Sequence, residues 1–358
     1  MAAPQVRAKI VSAFQKAYQR DHHTQRDIPE TSIAILADKQ QLSDLLDHMS
    51  LNRAASSLGI DTSTLARYRD NHGIAPSVSS YEIEIGDFLK EHSINYIHNK
   101  RGTAGVSLDF YLPEHKTAIE FNGLYWHSSK FRDRLYHREK YQACGSAGIS
   151  LIMINEDEWN LRGDAWRSRL INILGRSKKG APARKMDLRP IDQAAVSAFC
   201  DLHHIQGATS TIIYGLGAYD GEALAGVMAF SRQRGTSAVE LIRFCTDGDN
   251  HAGLFSKMFK RALTDNDWDE VISFADLRHS AGHVYRKNGF DLLAEIAPDY
   301  RYVVRNRTFH KSTFTKTAIR RRFPELDPSL TERQAMEQLD IPRIYDCGKL
   351  KFRWQRTR

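Results

Sequence analysis

Twenty residues, LDFYLPEHKTAIEFNGLYWH from Leu108 to His127, constrain the fold of this chain more than any other stretch. Leu108–Leu112 and Thr117–Asn122 read as two short strands around the four-residue turn Pro113-Glu114-His115-Lys116. Symmetric closure pairs Leu112 with Thr117, Tyr111 with Ala118 and Phe110 with Ile119, and so sets Asp109 opposite Glu120. Directly opposed side chains in an antiparallel pair have Cβ atoms about 4.5–5.5 Å apart, and like charges there are destabilising. A fold tolerates facing carboxylates when positive charge sits between them, and a divalent metal is one candidate. After the Gly123 bend, Trp126-His127 bring an imidazole back towards the same strand end. Asp, Glu and His together can build a metal-assisted hydrolase site; a solvated hairpin with scattered acids is the plain alternative.

The flanks add to this. Ser80–Leu89 predicts a helix with Ile85, Phe88 and Leu89 on one face and Glu82 near its start. Arg132–Ala147 predicts a second helix ending at Gly148, and Ile149–Ile154 is an almost wholly apolar run, as expected of a strand buried on both faces. The segments EIEIGDFL, LDFYLPEHKTAIEFNGLYWH, YHREK and GISLIMINEDEW, within residues 79–160, resemble the very-short-patch-repair branch of the PD-(D/E)xK nucleases, and specifically the EDxHD homing endonucleases of bacteriophages. The resemblance implies a restriction-endonuclease-like α-β-β-β-α-β core and a Mg2+ (or Mn2+) cofactor. It places Asp109 and the Phe121 carbonyl at the metal, helped by Glu120, with His127 as the residue that activates water and Glu82 completing the site. The Lys of the ExK pattern falls at Asn122, which leaves His127 or Lys140 to cover that role. The last acid of the EDxHD pattern has no secure counterpart; His137 is the nearest position and Asp133 another.

At 358 residues, two or three domains are expected. No run of eighteen apolar residues occurs and residues 1–20 carry charges throughout, so neither a membrane span nor a signal peptide is expected. Four cysteines without CxxC spacing fit a reducing cytoplasm without structural zinc, and the resemblance to phage nucleases implies that this is the cytoplasm of a bacterial host, at its nucleoid. The net charge of +8 is unevenly placed: residues 301–358 hold 15 Lys/Arg against 6 Asp/Glu, while the rest of the chain is close to neutral. Such a segment predicts polyanion binding.

Residues 1–76 read as helical, with Val6–Tyr18 polar and uninformative. Ser50–Tyr68 is similar to a helix-turn-helix: small Ala54 and Ala55, a Gly59 turn, inward Ile60 and Leu65, and Asp61 as a cap. Its second helix would present Thr62, Ser63, Thr64, Arg67 and Arg69 to the major groove, although a plain helical hairpin shares the pattern. Residues 77–175 are then the nuclease-like unit and 176–185 a linker by composition. Residues 186–304 follow a strand and helix order that resembles the GNAT acyltransferase fold, with Tyr285-Arg286-Lys287-Asn288-Gly289-Phe290 at its late helix-to-strand turn. Its phosphate loop would read Q/R-x-x-G-x-G/A; here Asn250-His251-Ala252-Gly253-Leu254-Phe255 puts a bulky Phe where a small residue is needed, so acetyl-CoA is not expected to bind. Residues 305–358 read as a basic DNA-binding tail, with Arg320, Arg321 and Arg322 for phosphates and the interleaved aromatics for packing.

The expected architecture is thus a multidomain α/β chain: helical domain, nuclease-like core and GNAT-like α+β module. The expected function is metal-dependent endonucleolytic cleavage of double-stranded DNA, with a homodimer on DNA as one arrangement. The alternatives are a mismatch-repair nicking enzyme, a DNA-binding regulator with an inactive core, and an acyltransferase.

Overall fold

The computed structural model describes residues 28–356 apart from short breaks at 49–50, 75–77, 101–102, 210, 234 and 236–237. The expected helix over Val6–Tyr18 lies outside the described residues. Among the described residues four short helices come first: α1 (Glu30–Ala37), α2 (Lys39–His48), α3 (Leu51–Ser57) and α4 (Thr62–Asn71). Gly59 turns the chain between α3 and α4 at φ 66°, a left-handed conformation that glycine adopts without penalty. Asp61 caps α4 by accepting the Thr64 N–H at 2.9 Å, as its position predicts. Ala54, Ala55 and Leu65 are buried with Leu36 and Leu42 in a small core of their own.

Next come α5 (Val78–Glu91), β1 (Ile97–Lys100), β2 (Leu108–Leu112), β3 (Thr117–Asn122), α6 (Tyr136–Ser146), β4 (Ser150–Asn155) and α7 (Glu156–Ile173). The sheet order is β1-β2-β3-β4, antiparallel except for the parallel β3–β4 pair. The hairpin closes in the expected register: Phe110 with Ile119, Tyr111 with Ala118, Leu112 with Thr117. α6 starts four residues later than its pattern suggests, because the Asp133 carboxylate accepts the N–H groups of Leu135 and Tyr136. One sheet face buries Phe110, Ile119, Ile152 and Ile154 against Ile85, Phe88, Trp159 and Trp166.

The third part contains β5 (Asp187–Pro190), α8 (Gln193–His203), β6 (Tyr214–Asp220), β7 (Ala223–Arg232), β8 (Val239–Thr246), α9 (Leu254–Asp265), β9 (Glu270–Asp276), α10 (His283–Lys287) and β10 (Asp291–Ile296). β11 (Tyr300–Val304), β12 (Arg307–His310), α11 (Lys316–Arg322), α12 (Glu332–Gln338), β13 (Arg343–Tyr345) and β14 (Lys349–Gln355) complete the described chain. The larger sheet runs β10-β14-β9-β8-β7-β6-β5, and β12-β11-β13 form a separate small one.

Two expected boundaries change. Residues 305–358 are not a tail: β14 lies inside the large sheet, paired with both β9 and β10. Leu350 and Phe352 are buried there, so the Lys-Leu-Lys-Phe-Arg alternation is the period of a half-buried strand and not a basic arm. The linker 176–185 is also built in, with Gly180 N–H donating to Asn250 O and Ala183 N–H to Ala252 O. One core is continuous between the two large sheets, joining Leu108, Ala118, Leu151 and Met153 to Met258, Leu350 and Phe352. Arg278 reinforces the junction. Its main-chain carbonyl accepts the Met153 N–H at 2.7 Å, and its guanidinium binds Glu158 and Asp276.

Candidate active site

The carboxylates meet where the register requires. Glu120 is only 3% exposed, and Asp109 Oδ2 accepts the Phe121 N–H at 2.8 Å. Lys140, projecting from α6, forms a buried ion pair with Glu120 Oε1. Glu120 Oε2 has no hydrogen-bond partner among the described residues. Burial and the Asp109 charge raise the Glu120 carboxyl to about 7 despite Lys140. Asp109 is raised as well, by burial and by Glu82, against the pull of the Phe121 amide, Lys140 and His98.

Glu82 from α5 reaches this group, with its Oε2 2.5 Å from His98 Nε2. His98 escaped the sequence reading because β1, Ile-His-Asn-Lys, has neither apolar alternation nor the length that marks a strand. Its register opposite Phe110, one residue from Asp109, is what gives it a place in the site. On the other side of Lys140, His127 Nδ1 lies 3.1 Å from His137 Nε2, and the rings stack 5.3 Å apart. His127 is lowered to about 3 and His137 to about 4, first by burial and then by neighbouring cations including Lys140 and Arg132. Both rings are therefore neutral at pH 7. Asp133 is exposed and caps α6, so of the two positions left open it is His137 that touches His127. Asn122 is buried and donates to Asn155 Oδ1 at 3.2 Å, away from any lysine role.

A divalent cation suits the carboxylate pair on physical grounds. Two mutually repelling acids, one with an orphaned buried oxygen, lose their repulsion when a cation is shared. Among the described residues no three His, Cys, Asp or Glu side chains cluster tightly enough to hold a metal. The ligands would accordingly be Asp109, Glu120 and the Phe121 main-chain carbonyl, with water completing the shell. Glu120 then gives a pH prediction. Its folded pKa is raised from 4.5 to about 7, so its contribution to stability is greatest in acid and is lost as pH rises across that window. The loss is on the order of 3 kcal/mol. Mg2+ binds the ionised form, so its stabilising effect grows over the same window. Thermal melts at pH 5.5 and pH 8, with and without millimolar Mg2+, check this; Glu120→Gln should flatten both trends.

The loop carrying His127 is exposed at its tip. Trp126 is 56% exposed and packs with Tyr125 and Phe131, centroids 4.9–5.0 Å apart. Its base is clamped by the C-terminal part: Ser129 N–H donates to Arg343 O, Arg343 N–H to Ser129 Oγ, and Leu124 packs on Val303 and Ile344.

Of the residues expected on DNA, Arg67 is exposed on α4, and Thr62 and Thr64 are half-buried. The side chain of Ser63 lies outside the described residues. Arg69 is a correction: it is 2% exposed, turned inward and paired with Asp70, because it occupies the same face as buried Leu65. In α11, Arg320 and Arg321 are exposed, although Arg320 donates to Pro328 O. Arg322 is drawn inward, with its guanidinium on Thr313 O and over the Phe314 ring. The aromatics around it pack: Phe314 and Phe323 are buried with Tyr300 and Tyr302.

A cavity of about 950 Å³ opens where β8 and β9 separate after only two paired positions, Val239–Val271 and Glu240–Ile272. Asn250 N–H already donates to Lys178 O, and Lys257 Nζ binds the carbonyls of Ala183 and Met186. Phe255 packs against Phe244 and Tyr285, and Tyr285 Oη donates to Phe274 O.

No protein-family model and no curated protein matches the chain. Among solved structures it is similar to GNAT-family acetyltransferases. One from Streptococcus pneumoniae is 13% identical, with 48% of this chain and 99% of that one covered, at a TM-score of 0.29. One from Elizabethkingia anophelis, solved with acetyl-CoA bound, is 11% identical over 48% and 99%, at 0.27. A Bacillus subtilis acetyltransferase in complex with CoA is 15% identical over 40% and 77%, at 0.24.

Proposed function

We propose that the chain is a metal-dependent endonuclease acting on double-stranded DNA, of homing type. The observation that carries this reading is the convergence of Asp109, Glu120, Lys140, His127 and His137 at one end of the four-stranded sheet, beside an exposed aromatic loop. A bound Mg2+ or Mn2+ would supply Lewis-acid stabilisation of charge on the scissile phosphate. Asp109, Glu120 and the Phe121 carbonyl would hold it. With Nδ1 engaged by His137, His127 takes the proton of the attacking water on Nε2. An anionic phosphodiester near Lys140 and Arg132 offsets the cations that depress His127, raising its basicity when substrate is present. Lys140 supplies from a helix the cation that the ExK pattern puts on the strand. Exposed Tyr125, Trp126 and Phe131 offer faces on which bases can stack. Of the cations expected on DNA, Arg67, Arg320 and Arg321 are exposed and would meet phosphates.

The GNAT-like part serves in this reading as scaffold: β14 and the clamp on Ser129 hold the catalytic loop, and acetyl-CoA has no part in it. No helix among the described residues is long and apolar enough to cross a membrane. One observation favours a second reading, a DNA-binding regulator with a silent core: the Lys140–Glu120 ion pair engages a carboxylate that a metal would need.

Nicking of supercoiled plasmid and of phage genomic DNA, with Mg2+ or with EDTA, separates the two. The nuclease reading expects metal-dependent nicking that falls about 10²–10⁴-fold in His127→Ala. Tight binding of both DNAs without nicking would establish the regulator.

A further inference from the structure

The cavity between β8 and β9 is walled on one side by α7, whose Ser168, Arg169 and Asn172 line it together with Arg243 of β8, His204 and His279. The last four bring hydrogen-bond donors without matching acceptors. Arg169 Nη2 donates to His279 Nδ1 and to His279 O, both at 3.3 Å, while its buried Nε has no partner among the described residues. A guanidinium can only donate, so Nδ1 is the acceptor and the proton of the neutral His279 ring sits on Nε2. Burial keeps that ring neutral by lowering it to about 3. The His279 side chain is only 9% exposed, and Asp276 Oδ2 stands 3.9 Å from its Nε2, too far to accept.

The other two donors share one turn. His204 Nδ1 accepts the Gln206 N–H at 3.0 Å, which puts the proton of this ring on Nε2 as well. Gly207 N–H donates to His204 O at 2.8 Å, and Gly207 O accepts Arg243 Nε at 2.9 Å. Arg243 gives further N–H groups to the carbonyls of Ile242 and Ala208. Gly207 stands at φ 66°, and Arg162 of α7 lies where its side chain would be, so α7 runs alongside the turn. Neither Arg169 nor Arg243 has an ion pair among the described residues, and Glu240 pairs with neither. Of the other lining acids, Asp276 is taken by Arg278 and Asp299 by Lys311. Buried donors without acceptors cost free energy, and buried guanidiniums without counterions cost more. An oxyanion offsets both. Ile205, Ile242, Phe244 and Val284 give the cavity apolar walls, and its volume is that of a small-molecule site.

We propose that Arg169, His279, His204 and Arg243 bind the phosphate or carboxylate group of a small ligand whose apolar body lies between β8 and β9. The anion is held by α7 and the turn at Gly207, and not by the Asn250–Phe255 loop. This site stands independently of the endonuclease reading.

Isothermal titration of the full chain at pH 7 and constant ionic strength tests it, with inorganic phosphate and acetate as separate probes. EDTA keeps phosphate from being bound through a metal at Asp109 and Glu120. The wild type should bind one anion per chain, with a dissociation constant of about 1 mM or tighter. Arg169→Gln and Arg243→Gln should each weaken this at least about tenfold. Arg189→Gln, at the β5 edge of the seven-stranded sheet, should leave it unchanged. His279→Asn keeps an acceptor for Arg169 and removes the Nε2 donor, so it reports on the site even if a guanidinium is needed for folding; it should weaken binding about fivefold. Saturation by phosphate assigns a phosphate ligand, and saturation by acetate alone a carboxylate. No saturable binding of either anion, or equal binding in all the variants, would overturn the site. Coenzyme A bound equally by wild type and Arg169→Gln, with neither small anion bound, would give the cavity to the Asn250–Phe255 loop and overturn it too.

Discussion

Asp109→Asn is expected to nick plasmid at least about 10³-fold more slowly than the wild type, while binding duplex DNA within about a factor of two. The substitution keeps the volume and an acceptor for the Phe121 N–H, so the hairpin has no reason to open. It removes one of the two carboxylates proposed to share the cation. Burial keeps the Glu120 carboxyl raised in the variant, but the loss of the neighbouring Asp109 charge should lower it part of the way. The variant should therefore melt at a higher temperature than the wild type at pH 8 in EDTA, and gain less from Mg2+. Lost activity with gained stability is the signature of charges kept together for function rather than for folding. Equal loss of binding and cleavage would sink the catalytic assignment. A lower melting temperature would show instead that Asp109 serves the hairpin.

Arg278→Met should cost about 3–5 kcal/mol of stability. The Arg278 side chain is 10% exposed, and its guanidinium is shared between Glu158 of the first large sheet's helix and Asp276 at the end of β9. Burial alone would raise Asp276; the Arg278 charge and its hydrogen bonds reverse this and hold the carboxyl well below its usual range. A depressed carboxylate contributes stability above its unfolded pKa, near 3.8, that is lost as pH falls through the folded value. The gap between wild type and Arg278→Met should therefore be widest near neutral pH and shrink in acid. Adding Asp276→Asn to Arg278→Met should recover part of the loss, because one stranded charge is gone. Urea denaturation at pH 7 and pH 4 reads all three comparisons. Indifference to the substitution would mean that the two sheets are held by their shared apolar core alone.

What could be read along the chain and what could not divide by the range of the forces involved. The register of Phe110 with Ile119, the Asp61 cap, the Gly59 turn and the apolar β4 follow from local preferences and from a period of two, so twenty residues sufficed to bring Asp109 and Glu120 to the same end of the hairpin, one position beyond its last ladder pair. The inward direction of Arg69 does not follow from its sequence position, because a cation on a short helix is normally solvated; here it shares the face of buried Leu65 and its guanidinium is met by Asp70. His98 is not legible as a strand residue, because Ile-His-Asn-Lys, with three polar residues of four, becomes a strand only when β2 offers its edge. The segment 305–358 looked like a free basic arm because charge counts ignore alternation; β14 becomes interior only when β9 and β10 supply hydrogen bonds on both sides. Lys140 and His137 stand on α6, 20 and 10 residues from the partners they reach, Glu120 and His127, and helix-to-sheet packing alone chooses those partners. By itself the sequence determined the hairpin and the pair of acids it carries, because neighbours two to twelve residues apart have little choice of geometry. The tertiary structure decided which cations and imidazoles surround that pair, because burial in a shared core, not chain proximity, sets their distances and their charge.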